Sequence, residues 1–214
     1  MRSGRGTRGS RINGHSLASL VPLEPPGASA PGPIRARRIP DPGGSDMAEQ
    51  RIPDPTLMAR LQLSVKGVDW ASSLVAHRQH EQADGEWSAH QHVAHLIAVE
   101  TSVFQPRIRR MLAQERPVFE PWDEEGYMAT VYRPEGEIAD LAGEFMRQRE
   151  ATVELFRSLA PEQWKRTGVW PAGEVDLAWV AEKCVVHALE HFVALLLIHQ
   201  TTEKLQARRW FGEG

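Results

Sequence analysis

Two histidines, His187 and His191, stand four residues apart in Asp176–Gln200, DLAWVAEKCVVHALEHFVALLLIHQ, a stretch otherwise built like the core face of a helix. Leu177, Val180, Cys184, His187, His191, Ala194 and Ile198 follow one another at alternating spacings of three and four, the seam of a packed amphipathic helix. The spacing predicts that both imidazoles point inward. Side chains four apart lie one above the other, so the pair can reach one cation from a single face. HxxxH without the glutamate of HExxH is a weak motif, however, and two core histidines also pack as neutral, hydrogen-bonded rings. A third ligand from elsewhere decides between these readings. Cys184, three residues before His187, is a candidate soft ligand, but a small buried hydrophobe is the preferred reading.

The elements that would supply such a ligand can be read along the chain. Asp54 as N-cap and Pro55 at the first helical position predict a first helix running to about Arg78, with Leu57, Leu61, Val65, Val68 and Val75 on one face. Gln79–Glu86, containing Asp84-Gly85, reads as a turn. A second helix opens with a capping box, Ser88 as N-cap and Gln91 three residues on. His95, Val99 and Val103 share its inward face, with Leu96 beside them. His90 and His92 are read as partly exposed residues of the first turn. His95, a turn deeper, is aimed at the core. Pro106 is expected to kink this helix before its end near Gln114.

Residues 115–133 carry Pro117, Pro121, Gly126 and both tyrosines, and connections this long in compact domains tend to be functional or disordered. Within them, Trp122-Asp123-Glu124-Glu125 places an aromatic beside acids, which suits either a cover over a pocket, with Asp123 approaching a metal, or a solvated acidic loop. The third helix spans about Pro134 to Leu159, with Ile138, Leu141, Phe145, Thr152, Leu155 and Leu159 on its seam. Arg149 lies at the seam's border, where a charge is usually snorkelling or paired, and where it could also hold an anionic substrate. Ala160–Val175 crosses back to the fourth helix. No repeat at solenoid periods and no convincing strand alternation is seen. Four helices of roughly 25 residues predict an all-α four-helix bundle over residues 54–205, a fold that builds metal sites in its core from facing helices.

Composition bounds the remainder. With 214 residues and 41% hydrophobic content, one globular domain with a real core is expected. Residues 1–46 have no Phe, Trp or Tyr, seven Arg against three acids, and eight of the 17 Gly. Such a segment cannot bury enough surface to fold, so residues 1–50 read as a disordered tail. Its net +4 within an overall −3 leaves about −7 for the rest, which confines the basic character to the tail. An arm for nucleic acid or a transit peptide has similar composition, but a dispensable tail is the preferred reading. RIPDP occurs at Arg38–Pro42 and Arg51–Pro55, bracketing Met47, and a native chain beginning at Met47 is expected. Neither nucleic acid nor membrane is an expected partner: the longest apolar run, Phe192–Ile198, is far too short to span a bilayer. A single cysteine suits a reducing cytoplasm.

Taken together, WSAHQHVAHLIAVE at Trp87–Glu100, WDEEGY at Trp122–Tyr127, FMRQREATVELFRSL at Phe145–Leu159 and VWPAGEVDLAWVAEKCVVHALEHFVALL at Val169–Leu196 resemble the DinB/YfiT-like superfamily, in its DinB_2 branch. The resemblance covers about residues 55–200, and order and spacing carry it more than any single motif. It implies a divalent metal bound by one histidine of the second helix and two of the fourth, at the matching positions His95, His187 and His191. These are also the three histidines that periodicity turns inward. Three neutral imidazoles with open positions suit a catalytic site. Zinc or nickel is the expected cation, with iron and manganese as alternatives.

For activity, the resemblance implies relatives that transfer or isomerise with a low-molecular-weight thiol, and it carries fold and ligands further than substrate. The expectation is a metal-dependent transferase or isomerase in which the cation lowers the pKa of a thiol and presents it to a small-molecule substrate. Arg149 would orient substrate carboxylates, and the 115–133 loop, with Asp123, would cover the site. The alternatives are a metal-dependent hydrolase, with Asp123 or Glu124 as general base, and a non-catalytic, metal-stabilised binding or dimerisation module. A homodimer is expected by resemblance alone.

Overall fold

The computed structural model describes residues 55–82, 87–171 and 173–211, all within the unit Ser45–Gly214. The expected tail, the Met47 start and the Asp54 cap lie outside them. Helix α1 spans Leu57–Val75 and continues as a 3-10 turn through Arg78. Its N-cap is Thr56, so Pro55 sits in the turn before the helix rather than at its first position. All five expected seam residues of α1 are buried.

Helix α2, Ala89–Val99, starts where the capping box predicts: Ser88 Oγ accepts from the Gln91 N–H and Gln91 Oε1 accepts from the Ser88 N–H. Ahead of Pro106 its regular hydrogen bonding is interrupted. Glu100–Phe104 forms a π turn, in which the Gln105 N–H donates to the Glu100 carbonyl, and the chain continues as α3, Gln105–Ala113. The wider turn accommodates a proline that cannot donate a helical hydrogen bond.

The segment expected as a long loop contains a short helix, α4, Glu124–Thr130. Helix α5 is Ile138–Arg157, shorter at its start than expected because Glu137 is its N-cap. After a 3-10 turn at Pro161–Lys165, β1 (Thr167–Trp170) pairs antiparallel with β2 (Gly173–Asp176), from Thr167 opposite Asp176 to Trp170 opposite Gly173. This hairpin is a correction to the strand-free expectation, since strands of four residues are too short to show alternation. Gly173 takes φ +116°, a left-handed value that glycine adopts without penalty. Val118 bridges to Val169, tying the segment before α4 to the hairpin. Helix α6 runs Leu177–Phe211, beyond the expected boundary at 205, and Asp176 Oδ1 accepts from the Trp179 N–H at its start.

The fold is a four-helix bundle built from α1, the α2–α3 rod, α5 and α6. Both α1 and α2 pack mainly on α5 and α6, so α1 and α2 occupy opposite corners although they are consecutive. This order sets α2 directly against α6. Apolar side chains form two clusters, one drawing Val180, Ala181, Cys184 and Val185 from α6 and the other Ala188 and Leu195. His187 and His191 come at the junction.

Candidate metal centre

The cap at Ser88 fixes the phase of α2, and that phase turns His92, His95 and Leu96 into the bundle. His95 Nε2 lies 3.1 Å from His187 Nε2, which in turn lies 3.3 Å from His191 Nε2. The three residues each offer a ligand nitrogen, all within 4.8 Å of one another. Among the described residues these Nε2 atoms meet only one another. A neutral imidazole has one donor and one acceptor, and three acceptor-capable nitrogens converging without any other partner form an arrangement that a cation satisfies. Four-coordinate metal–nitrogen bonds of 2.0–2.1 Å require nitrogens about 3.3–3.4 Å apart, close to the two short spacings seen. The donor set fits a divalent ion.

Burial keeps these rings neutral. Desolvation lowers His95 to about 4, with His92 adding to the effect. Desolvation also drives His187 well below its usual value, helped by His95, Lys183 and Arg149, and lowers His191, helped by His187, His95 and His92. Neutral imidazole is the ligand form.

Aromatic rings wall the cluster. Trp87 and Trp122 lie 5.0 and 5.9 Å from the His95 ring, and Phe104 lies 6.0 Å from that of His187. Trp122 also packs on Tyr127, 5.1 Å away, so the segment carrying α4 does contact the site. Its acid nearest the cluster is Glu124, whose Oε1 stands 3.4 Å from His95 Nδ1. Burial, and then Glu125, raises the pKa of this carboxyl.

Asp123 and Arg149 have other partners than those expected. Asp123 is the N-cap of α4, its Oδ1 accepting from the Gly126 N–H at 2.9 Å, and it is the neighbouring Glu124 that reaches a site histidine. Arg149 occupies the middle of the α5 seam, not its border, and is 1% exposed. It donates to Glu100 Oε1, to Ser64 Oγ and to the Cys184 carbonyl. Its guanidinium is thus committed within the core, below His187 on α6. Cys184 is buried, and burial pushes its thiol pKa up; it does not join the nitrogen cluster, in keeping with the small-hydrophobe reading.

His90 and His92 depart from the expectation of partial exposure, for both are buried. His90 Nδ1 meets Tyr132 Oη at 2.8 Å, and His92 Nδ1 meets His191 Nδ1 at 2.9 Å. The signal for His92 was present in the spacing, because it stands three residues before His95 and so shares its face. Glu100, fully buried, carried no comparable signal.

Comparison with curated proteins returns no match. Among solved structures the fold is similar to YfiT from Bacillus subtilis, described as a probable metal-dependent hydrolase with an unusual four-helix bundle topology. That likeness has a TM-score of 0.63 at 19% identity and covers 76% of this chain and 93% of the other. A family model described as DinB superfamily, DinB_2, matches residues 37–193, and on that match the chain belongs to the DinB superfamily.

Proposed function

We propose that the protein is an enzyme that holds a divalent metal on His95, His187 and His191 and activates a low-molecular-weight thiol for transfer or isomerisation. The observation that carries this reading is the convergence of three imidazole nitrogens, from buried His95 and His191 and half-buried His187, that have no other partner among the described residues. A cation bound there supplies Lewis-acid chemistry, lowering the pKa of a small nucleophile and leaving coordination positions for it. Zinc or nickel is the proposed cation, with iron and manganese as alternatives, since imidazole donors serve several of these ions. Glu124 Oε1, 3.4 Å from His95 Nδ1 and not hydrogen-bonded to it, is the carboxylate placed to close on the Nδ1–H of a His95 ring that offers Nε2 to a cation, and so to hold that ring. Trp87, Trp122 and Phe104 limit water around the rings. Arg149 supports the floor of the site through α6 and does not contact substrate.

Water as the nucleophile, which makes the protein a hydrolase, is the second reading. It is favoured by the similarity to YfiT, itself described as a probable metal-dependent hydrolase. Metal-loaded protein assayed with a small thiol and an electrophile, beside an activated ester without thiol, separates the two. Thiol-dependent turnover abolished by chelation supports the transferase reading; thiol-independent cleavage supports the hydrolase; no turnover of either kind contradicts both. No described helix is long and apolar enough to cross a membrane. We place the protein in the cytoplasm, as a homodimer that covers the exposed α6 stripe of Val186, Leu189, Val193 and Leu197.

A further inference from the structure

The hydrogen bond between His92 and His191 joins two Nδ1 atoms at 2.9 Å, and both residues are 5% exposed. A charged imidazole in that setting is penalised by lost hydration, so one neutral ring donates and the other accepts. The direction has a chemical consequence. If His92 donates, His191 carries its proton on Nε2 and cannot offer that nitrogen to a cation. If His191 donates, its Nε2 has a free lone pair directed at His187 Nε2, 3.3 Å away. The other two site histidines lack such a bond: His95 Nδ1 has only the Glu124 carboxylate at 3.4 Å, and His187 Nδ1 is buried without a hydrogen-bond partner.

We infer that His92 is a positioning residue, accepting from the His191 Nδ1–H and so fixing the His191 tautomer and ring plane that a bound cation requires. The inference rests on the metal-binding reading above. His92 is itself set by the capping box at Ser88, one turn earlier, and by the Trp87 ring 5.6 Å from its own. The capping box thereby reaches the site through two steps, from Ser88 to His92 to His191.

The test is zinc affinity, by competition with a chromophoric chelator, for wild type, His92→Leu, His92→Asn and His187→Ala, with cobalt spectra and the thermal stability of each apo protein. Loss of an outer hydrogen-bond partner typically weakens binding about 10–100-fold, and that loss is expected for His92→Leu. His92→Asn, whose amide oxygen falls near the position of Nδ1, is expected to restore most of the affinity and the cobalt spectrum. Long-range 1H–15N spectra of wild-type protein give an independent readout: His191 protonated on Nδ1 supports the assignment, and protonated on Nε2 in the zinc-free and zinc-bound forms overturns it. Wild-type affinity in a folded His92→Leu protein, with binding lost in His187→Ala, overturns the role of His92 while leaving the metal site standing. Absence of zinc binding by wild type overturns the site itself.

Discussion

Arg149 and Glu100 form an ion pair of 2.6 Å in which both side chains are 1% exposed. Glu100 comes from the π turn of the α2–α3 rod and also accepts from Thr152 Oγ1, while Arg149 reaches across to the Cys184 carbonyl on α6. One pair thus connects three helices beneath His187. Removing one partner leaves an uncompensated buried charge, which typically costs about 3–5 kcal/mol. Arg149→Met and Glu100→Leu are each expected to lose that much in urea unfolding, and the double variant to recover a large part. If Arg149 instead bound substrate, Arg149→Met would raise KM with little change in stability.

Glu124 and its neighbour Asp123 are expected to separate in mutation. Glu124→Gln removes the charge beside His95 Nδ1 and is expected to weaken metal binding about 10-fold or more. Asp123→Ala removes the α4 cap, expected to cost about 1 kcal/mol locally, and leaves metal affinity within a few-fold of wild type, on the same order-of-magnitude scale. Calorimetric titration with zinc measures both.

The metal-free protein should weaken in mild acid. His92 and His95 have native pKa values of about 4, each lowered first by burial, against an ordinary 6.5. Between these values the unfolded chain binds protons that the native state does not, so stability is fully present above pH about 6.5 and falls as pH drops toward 4. A shift of this size corresponds to on the order of 3 kcal/mol for each ring at the acid end. Thermal unfolding of apo protein at pH 7 and pH 5 measures the change, and equal stability at the two would contradict the burial of neutral histidines.

Much of this was legible in the chain because helical periodicity reports burial directly. The seam of α1, the Ser88 cap and the inward aim of His95, His187 and His191 all follow from spacings of three and four. What escaped follows from interactions that periodicity does not encode. Glu100 is an acid on a mostly apolar helix, and its place inside depends on Arg149, 49 residues away. The π turn lies directly before Pro106, and a proline in a helical pattern signals a local irregularity without specifying its hydrogen bonding. The β1–β2 hairpin is held partly by the Val118–Val169 bridge, a long-range contact. Asp123 and Glu124 are adjacent, and only the start of α4 decides which of them caps the helix and which meets His95.

The central claim is that His95, His187 and His191 hold one divalent cation, and elemental analysis of protein purified without added chelator tests it most directly. The expected result is about one equivalent of a transition metal, lost in the His187→Ala/His191→Ala variant whose helical content is unchanged. A wild-type protein that carries no metal, and takes up none from zinc, nickel or manganese solutions, would contradict the account and leave three histidines packed as neutral core residues.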